Sequence, residues 1–223
     1  MLNIRPTDRV LEIGSGNRPR KRSNVLCDRY PWDNTERSAG DEIVLDRRPF
    51  VIADAAHLPF KSQSFDYVIT SHVLEHVEDP LRVAAELMRV ARAGYIETPS
   101  ELSERLFGWS FHKWMVHREG DELVFRPRFT DSVFGEYFHR LQAGDRMFAE
   151  IIDQHYNDFF VRYEWHTKIL IRVELAVSGE VRWNTGSTAF ETLPPAHVQT
   201  LRVLKSILQL VLRVSRRLRR FYG

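Results

Sequence analysis

Val10-Leu11-Glu12-Ile13-Gly14-Ser15-Gly16-Asn17 is an apolar run that ends in Gly-x-Gly. The pattern reads as a buried strand that turns sharply beneath a ligand, because glycine takes positive φ at little cost and lets a bound molecule rest against bare backbone. Glu12 adds a carboxylate at the rim. Pro19 stands where a dinucleotide fingerprint needs its third glycine, so the turn favours a ligand without phosphates.

Outward from this turn the chain keeps placing polar groups after apolar runs. Val25-Leu26-Cys27 closes on Asp28, and the twelve positions from Gly16 to Asp28 leave room only for a stub of crossover helix. Phe50-Val51-Ile52-Ala53 closes on Asp54, and Ser64 to Thr70 on Ser71-His72. Near-continuous apolar strands of this kind belong to parallel sheets covered on both faces, whose ligands sit at the carboxyl ends of the strands. From Glu75 the spacing of Leu81, Ala84, Ala85, Met88 and Val90 predicts a helix that stops at Gly94, with a fifth strand over 95–99. Asp28 invites two readings, a ribose-binding carboxylate or a loop cap.

Four motifs in register, Leu11 to Gly16, Asp28, Ala53-Asp54-Ala55 with Leu58-Pro59-Phe60, and Phe65-Asp66-Tyr67-Val68 leading into His72 to Val77, resemble a class I S-adenosylmethionine-dependent methyltransferase of the "methyltransferase domain 11" type. The resemblance spans roughly residues 9–100. It implies an α/β, Rossmann-like, doubly wound, mostly parallel seven-stranded sheet and S-adenosyl-L-methionine as cofactor. It also implies roles for residues. Gly14 and Gly16, with Ser15 between them, pass under the methionine part, and Glu12 orients nearby backbone and the amino group. Asp28 takes the ribose hydroxyls, Asp54 with Ala55 meets the adenine, and Ser71 with His72 closes the pocket near the sulfonium. The chemistry asks little more of a protein, since a sulfonium methyl group needs mainly in-line alignment with its acceptor. No Gly-x-Ser-x-Gly nucleophile elbow occurs.

His72-Val73-Leu74-Glu75-His76 also fits the His-x-x-Glu-His spacing of one zinc-peptidase group. It straddles a strand end and no third ligand is identifiable downstream, so no metal is expected. Glu75 and His76 instead read as seating a helix start, or His72 and then His76 as a proton acceptor in an acceptor pocket. Beyond Pro99, residues 103–130 read as an acceptor-side insertion. Its aromatic run gives Trp109, His112 and Trp114 as substrate-binding candidates, and a hairpin around Gly120 is expected to project over the site. Aromatic packing is the plainer account of the same residues.

One helix is expected over 131–148, then an antiparallel strand pair, 159–165 with 169–175. The catalytic domain is expected to cover 1–178, followed by a connector over 179–195. A basic amphipathic helix over 196–223 follows, in which Arg213, Arg216, Arg217, Arg219 and Arg220 crowd the last turns. Such a helix lies on an anionic membrane surface or packs on its own domain or a partner protomer.

The 223 residues carry 32 basic and 30 acidic side chains, a formal net charge of +2, so nothing global points to nucleic acid. The single cysteine, Cys27, rules out an internal disulfide framework. With no apolar leader and no run of about 18 apolar residues, a cytoplasmic protein is expected, peripheral at the inner membrane surface if the tail binds there. These features predict methyl transfer to a small-molecule or lipid- or glycan-linked acceptor, at oxygen if a histidine serves as base. A catalytically inactive S-adenosylmethionine-binding scaffold acting through its C-terminal helix is the alternative.

Overall fold

The structure is a computed structural model; residues 2–35, 41–128, 132 and 134–174 are described. The chain divides into two units, Met1–Ala176 and Val177–Gly223. The expected connector and basic helix lie outside the described residues.

Six strands form the main sheet: β1 (Val10–Ile13), β2 (Val25–Asp28), β3 (Phe50–Ile52), β4 (Phe65–Ser71), β5 (Ala91–Pro99) and, numbered by its place in the chain, β8 (Phe160–His166). Their order is β3-β2-β1-β4-β5-β8. All neighbours are parallel except β5 and β8. The chain therefore reverses direction of growth between β1 and β4, and the ends of β3, β2, β1 and β4 share one edge. The seventh strand implied by the resemblance does not appear in this sheet among the described residues.

Between parallel strands the described residues contain one helix, α1 (Pro80–Val90). It starts later than Glu75, because the Asp79 side chain accepts the Arg82 N–H and Pro80 occupies the first turn, where its missing donor costs nothing. It ends at Val90, not Gly94, since the chain passes directly into β5. Gly94 lies inside that strand for a packing reason: a Cβ there would sit 2.5 Å from the Val68 carbonyl oxygen and 2.9 Å from the Trp165 ring. No helix forms between Gly16 and Asp28, an interval too short for one.

One face of the sheet buries Leu11, Ile13, Val68 and Ile96 against Val83, Leu87 and Val90 of α1. On the other face Val10, Tyr67, Ile69, Ala93 and Tyr95 form a smaller cluster, against which Leu2 and Ile4 pack. The mostly parallel α/β architecture matches the expectation, with loops in place of most crossover helices.

After β5 come α2 (Glu101–Phe107), β6 (Trp114–Glu119), β7 (Glu122–Pro127), α3 (Gly135–Gly144), α4 (Arg146–Gln154) and α5 (Tyr156–Phe159), then β8 and β9 (Ile171–Val173). Helix α2 had a sequence signature that the aromatic run obscured: Ser100 caps it, Glu101 and Glu104 occupy its first turn, and Gly108 ends it in the left-handed region at φ +59°. The single helix expected over 131–148 is two, because the Asp145 side chain accepts the Phe148 N–H and starts α4 afresh. The expected antiparallel pair is also corrected. Strand β8 pairs with β5, whereas β9 runs parallel to β7 in a separate sheet of order β6-β7-β9. The hairpin turns at Gly120, φ +58°, but does not simply project over the site. Its Val116, Leu123 and Phe125 are fully buried in the main core.

Candidate functional site

The turn after β1 is held against β2. Gly14 and Ser15 donate to the Cys27 carbonyl at 2.8 and 3.2 Å. Both glycines have positive φ, +69° at Gly14 and +50° at Gly16. A Cβ on Gly14 would collide with Val73 Cγ2, whereas one on Gly16 would meet only the Gly14 carbonyl oxygen, at 3.8 Å. Bare backbone is therefore required at the first position, and at the second it faces open space. The Ser15 hydroxyl is buried without a hydrogen-bond partner among the described residues.

Glu12 is buried and turns away from the rim. Its Oε2 accepts from the Arg20 backbone N–H at 2.9 Å and the Ser23 hydroxyl at 2.5 Å, fixing the loop between β1 and β2. Burial raises its pKa despite these bonds and the nearby charges of Arg20 and Arg48. Asp28 at the end of β2 accepts from the Gly16 N–H at 3.2 Å and the Tyr30 N–H at 3.0 Å. Its carboxylate is thereby aimed beside the glycine turn. Asp54 accepts from the Ala56 N–H at 2.8 Å and pairs with Arg29 at 3.0 Å, while Ala55 is buried in the core. Ser71 accepts from Arg20 Nη2 at 3.3 Å.

Arg20 is a rim residue that sequence reasoning missed. Its guanidinium lies over the Tyr95 ring, 5.4 Å from the centroid, and 3.9 Å from Glu97. Glu97, near the end of β5, also accepts from the Tyr95 hydroxyl. A cation among Ser71, Tyr95 and Glu97 carries no local sequence signal, because β1, β4 and β5 bring these groups together only in the sheet.

His72 holds the left-handed region at φ +56°, uncommon for a residue with a Cβ and a mark of local strain. Its N–H donates to the Glu97 carbonyl at 2.9 Å and its ring meets Phe160 edge-on. Its side chain is 45% exposed, leaving it accessible at the strand end. Desolvation pulls its pKa down, but Glu75 and then Glu97 outweigh it, and the imidazole is held above its ordinary value.

Glu75 is fully buried. His72 Nδ1 approaches its Oε1 at 3.3 Å without hydrogen-bond alignment, and neither carboxylate oxygen has a hydrogen-bond partner among the described residues. Burial would raise its pKa, yet His72, with the charges of His76 and His112, lowers it overall. Glu75 does not seat a helix start, since α1 begins five residues later. His76 stacks on Phe111, ring centroids 5.5 Å apart, and meets His112 edge-on at 4.6 Å.

The insertion candidates separate. Trp109 stacks on Phe107 and His112 and lines a cleft of about 490 Å³ with Phe107, Phe111, His139 and Arg140. His112, expected at the rim of an acceptor wall, is buried and hydrogen-bonded through Nδ1 to Glu104. Trp114 packs against the core, its Nε1 donating to the Val77 carbonyl at 2.7 Å. The structure thus gathers Gly14, Ser15, Gly16, Asp28, Ser71 and His72 along neighbouring strand ends, with Asp54 after β3, and sets His76 and His112 together in a separate buried cluster.

Among known proteins, the methyltransferase-domain family matches residues 32–96. The match begins after Gly14 and Gly16, so the glycine turn rests on its own geometry. A demethylmenaquinone methyltransferase of Thermobifida fusca is 39% identical over 81 residues, covering 32% of this chain and 34% of that one. A norajmaline N-methyltransferase of Rauvolfia serpentina is 42% identical over 45 residues, 20% of this chain and 15% of that one. The chain spans about a third or less of the length of these curated relatives. Among solved structures, a methyltransferase of Haloferax volcanii in complex with the Trm112 activator aligns with TM-score 0.38 at 17% identity, over 52% of this chain and 64% of that one. Among the described residues no helix is long and apolar enough to cross a membrane.

Proposed function

We propose that the chain transfers a methyl group from S-adenosyl-L-methionine to a small-molecule acceptor, at oxygen, a reading supported by the methyltransferase-domain match over residues 32–96. The observation that carries this reading is the strand order β3-β2-β1-β4, which aligns Asp54, Asp28, the glycine turn and His72 along one edge. The residues fit the cofactor on structural grounds: open space over Gly16, and a carboxylate anchored to the Gly16 N–H.

Asp28 would take the ribose hydroxyls and Asp54, beside Arg29, the adenine edge. Arg20, bonded to Ser71 and lying over Tyr95, would meet the methionyl carboxylate. When bound, the cofactor supplies an electrophilic methyl group on a sulfonium. The chain's own task is alignment and proton removal. His72, exposed at the end of β4, would accept the proton of a hydroxyl acceptor. The aromatic cleft beside Trp109 would receive an apolar or ring-bearing acceptor.

Calorimetric titration with S-adenosylmethionine and its demethylated product tests the reading. Binding of both, weakened by Asp28→Ala, is expected, and no binding of either overturns it. A binding protein without transfer is the second reading. It is favoured by the Asp54–Arg29 pair already formed at the rim. Binding with no methylated product from a metabolite extract would select it.

A further inference from the structure

We propose that Glu75, His76 and His112 form a binding site for one divalent ion of the zinc class. A ligand atom from each lies within 4.8 Å of the other two. They come from different parts of the chain, Glu75 and His76 from the turn between β4 and α1, His112 from the loop between α2 and β6.

Two observations lift the cluster above a chance meeting of side chains. Glu75 is fully buried and neither of its oxygens has a hydrogen-bond partner among the described residues, although Lys113 and Trp114 donate to its backbone carbonyl at 2.7 and 3.3 Å. A buried carboxylate ringed by imidazoles, with His72 close by but no aligned hydrogen bond to either oxygen, is disposed to take a cation. Second, Glu104 holds His112 through Nδ1, which leaves Nε2 for a metal. A carboxylate on the far nitrogen is how metal-binding histidines are oriented and made more basic.

The donor set selects the ion. Two imidazoles and a carboxylate with a further position open suit zinc, while calcium and magnesium call for oxygen ligands throughout. A zinc tetrahedron has an edge of about 3.4 Å from its ordinary bond lengths, so binding draws these side chains inward. The ion would clip the turn after β4 to the insertion and fix the aromatic wall of the cleft, since His112 packs on both Trp109 and Phe111. The ion would touch methyl transfer only through Glu75 beside His72 and through the cleft wall, and a chain that moved no methyl group would bind the ion equally.

The full chain, stripped with a chelator and reloaded, is expected to retain one zinc per molecule through gel filtration. Loaded with cobalt(II), it should show the intense visible bands of four- or five-coordinate metal, unaffected by excess magnesium or calcium. In competition with a chromophoric chelator, His112→Gln raises the zinc Kd by about 100-fold or more, and Glu104→Gln by about 10–100-fold. His57→Gln, at an exposed histidine elsewhere, leaves it unchanged. Circular dichroism reports whether each variant folds; should His112→Gln fail, Glu104→Gln reads the same site without removing a ligand. Sub-stoichiometric zinc in the folded wild type, weak octahedral cobalt bands, or folded variants at both positions with wild-type affinity would overturn the proposal.

Discussion

The glycine-turn rim and the buried cluster behind it both concentrate carboxylates, and they treat them in opposite ways. In and around the glycine turn these acids have donors: buried Glu12 holds Arg20 and Ser23, and at the rim Asp28 holds Gly16 and Tyr30 and Asp54 holds Ala56 and Arg29. In the cluster Glu75 has charge neighbours but no hydrogen bond among the described residues. A satisfied carboxylate shapes the backbone around it. An unsatisfied one in a dry environment is costly to keep, and its persistence points to a ligand.

The largest effect is expected at the border between the two regions. His72→Asn keeps a residue tolerant of the left-handed region. It should lower the methyl-transfer rate by about 10²–10⁴-fold, the range for a lost general base, while the denaturation midpoint stays close to wild type. Loss of both together would mean that His72 belongs to the scaffold. Within the rim, Gly14→Ala should destabilise by about 2–4 kcal/mol, from a left-handed Cβ and the clash with Val73. Gly16→Ala, facing open space, should cost about 1 kcal/mol. Urea unfolding measures both, and equal losses would deny that the two glycines do different jobs.

The contrast between the acids is tested more directly. Glu12→Gln should cost about 1–3 kcal/mol, because the two charge-assisted bonds that converge on Oε2 become bonds to a neutral amide oxygen. In chelator-treated protein Glu75→Gln should cost less, since no aligned hydrogen bond is lost and only the pairing of its charge with His72 goes. The reverse order would break the comparison. The smallest effect is at Cys27. Burial, then the charge of Asp28, pushes its thiol up to about 12. A raised pKa empties the thiolate at neutral pH, so the native protein should resist alkylation at pH 8 and react only when unfolded.

Much of the fold was legible because its signals are local. Strand 10–13, its glycine turn, and the acids closing strands two and three can be read from neighbouring residues, as can the hairpin at Gly120. The N-cap at Asp79 and the restart at Asp145 were equally local, yet hydrophobic spacing ran across both and hid them. Strand 171–173 went astray for another reason. Its apolar run suits an antiparallel partner just upstream as well as a parallel one far away, and only the competition for β5 and β7 edges decides between them.

The residue string alone fixed which groups end the parallel strands, since a strand's alternation and its terminating turn depend on near neighbours. It left His72-x-x-Glu-His without a third partner, because His112 is thirty-six positions downstream in a segment that reads as aromatic packing. Chain folding decided that, together with the place of Arg20 over Tyr95. Contacts between distant segments are set by how layers pack, and packing is a property of the whole core.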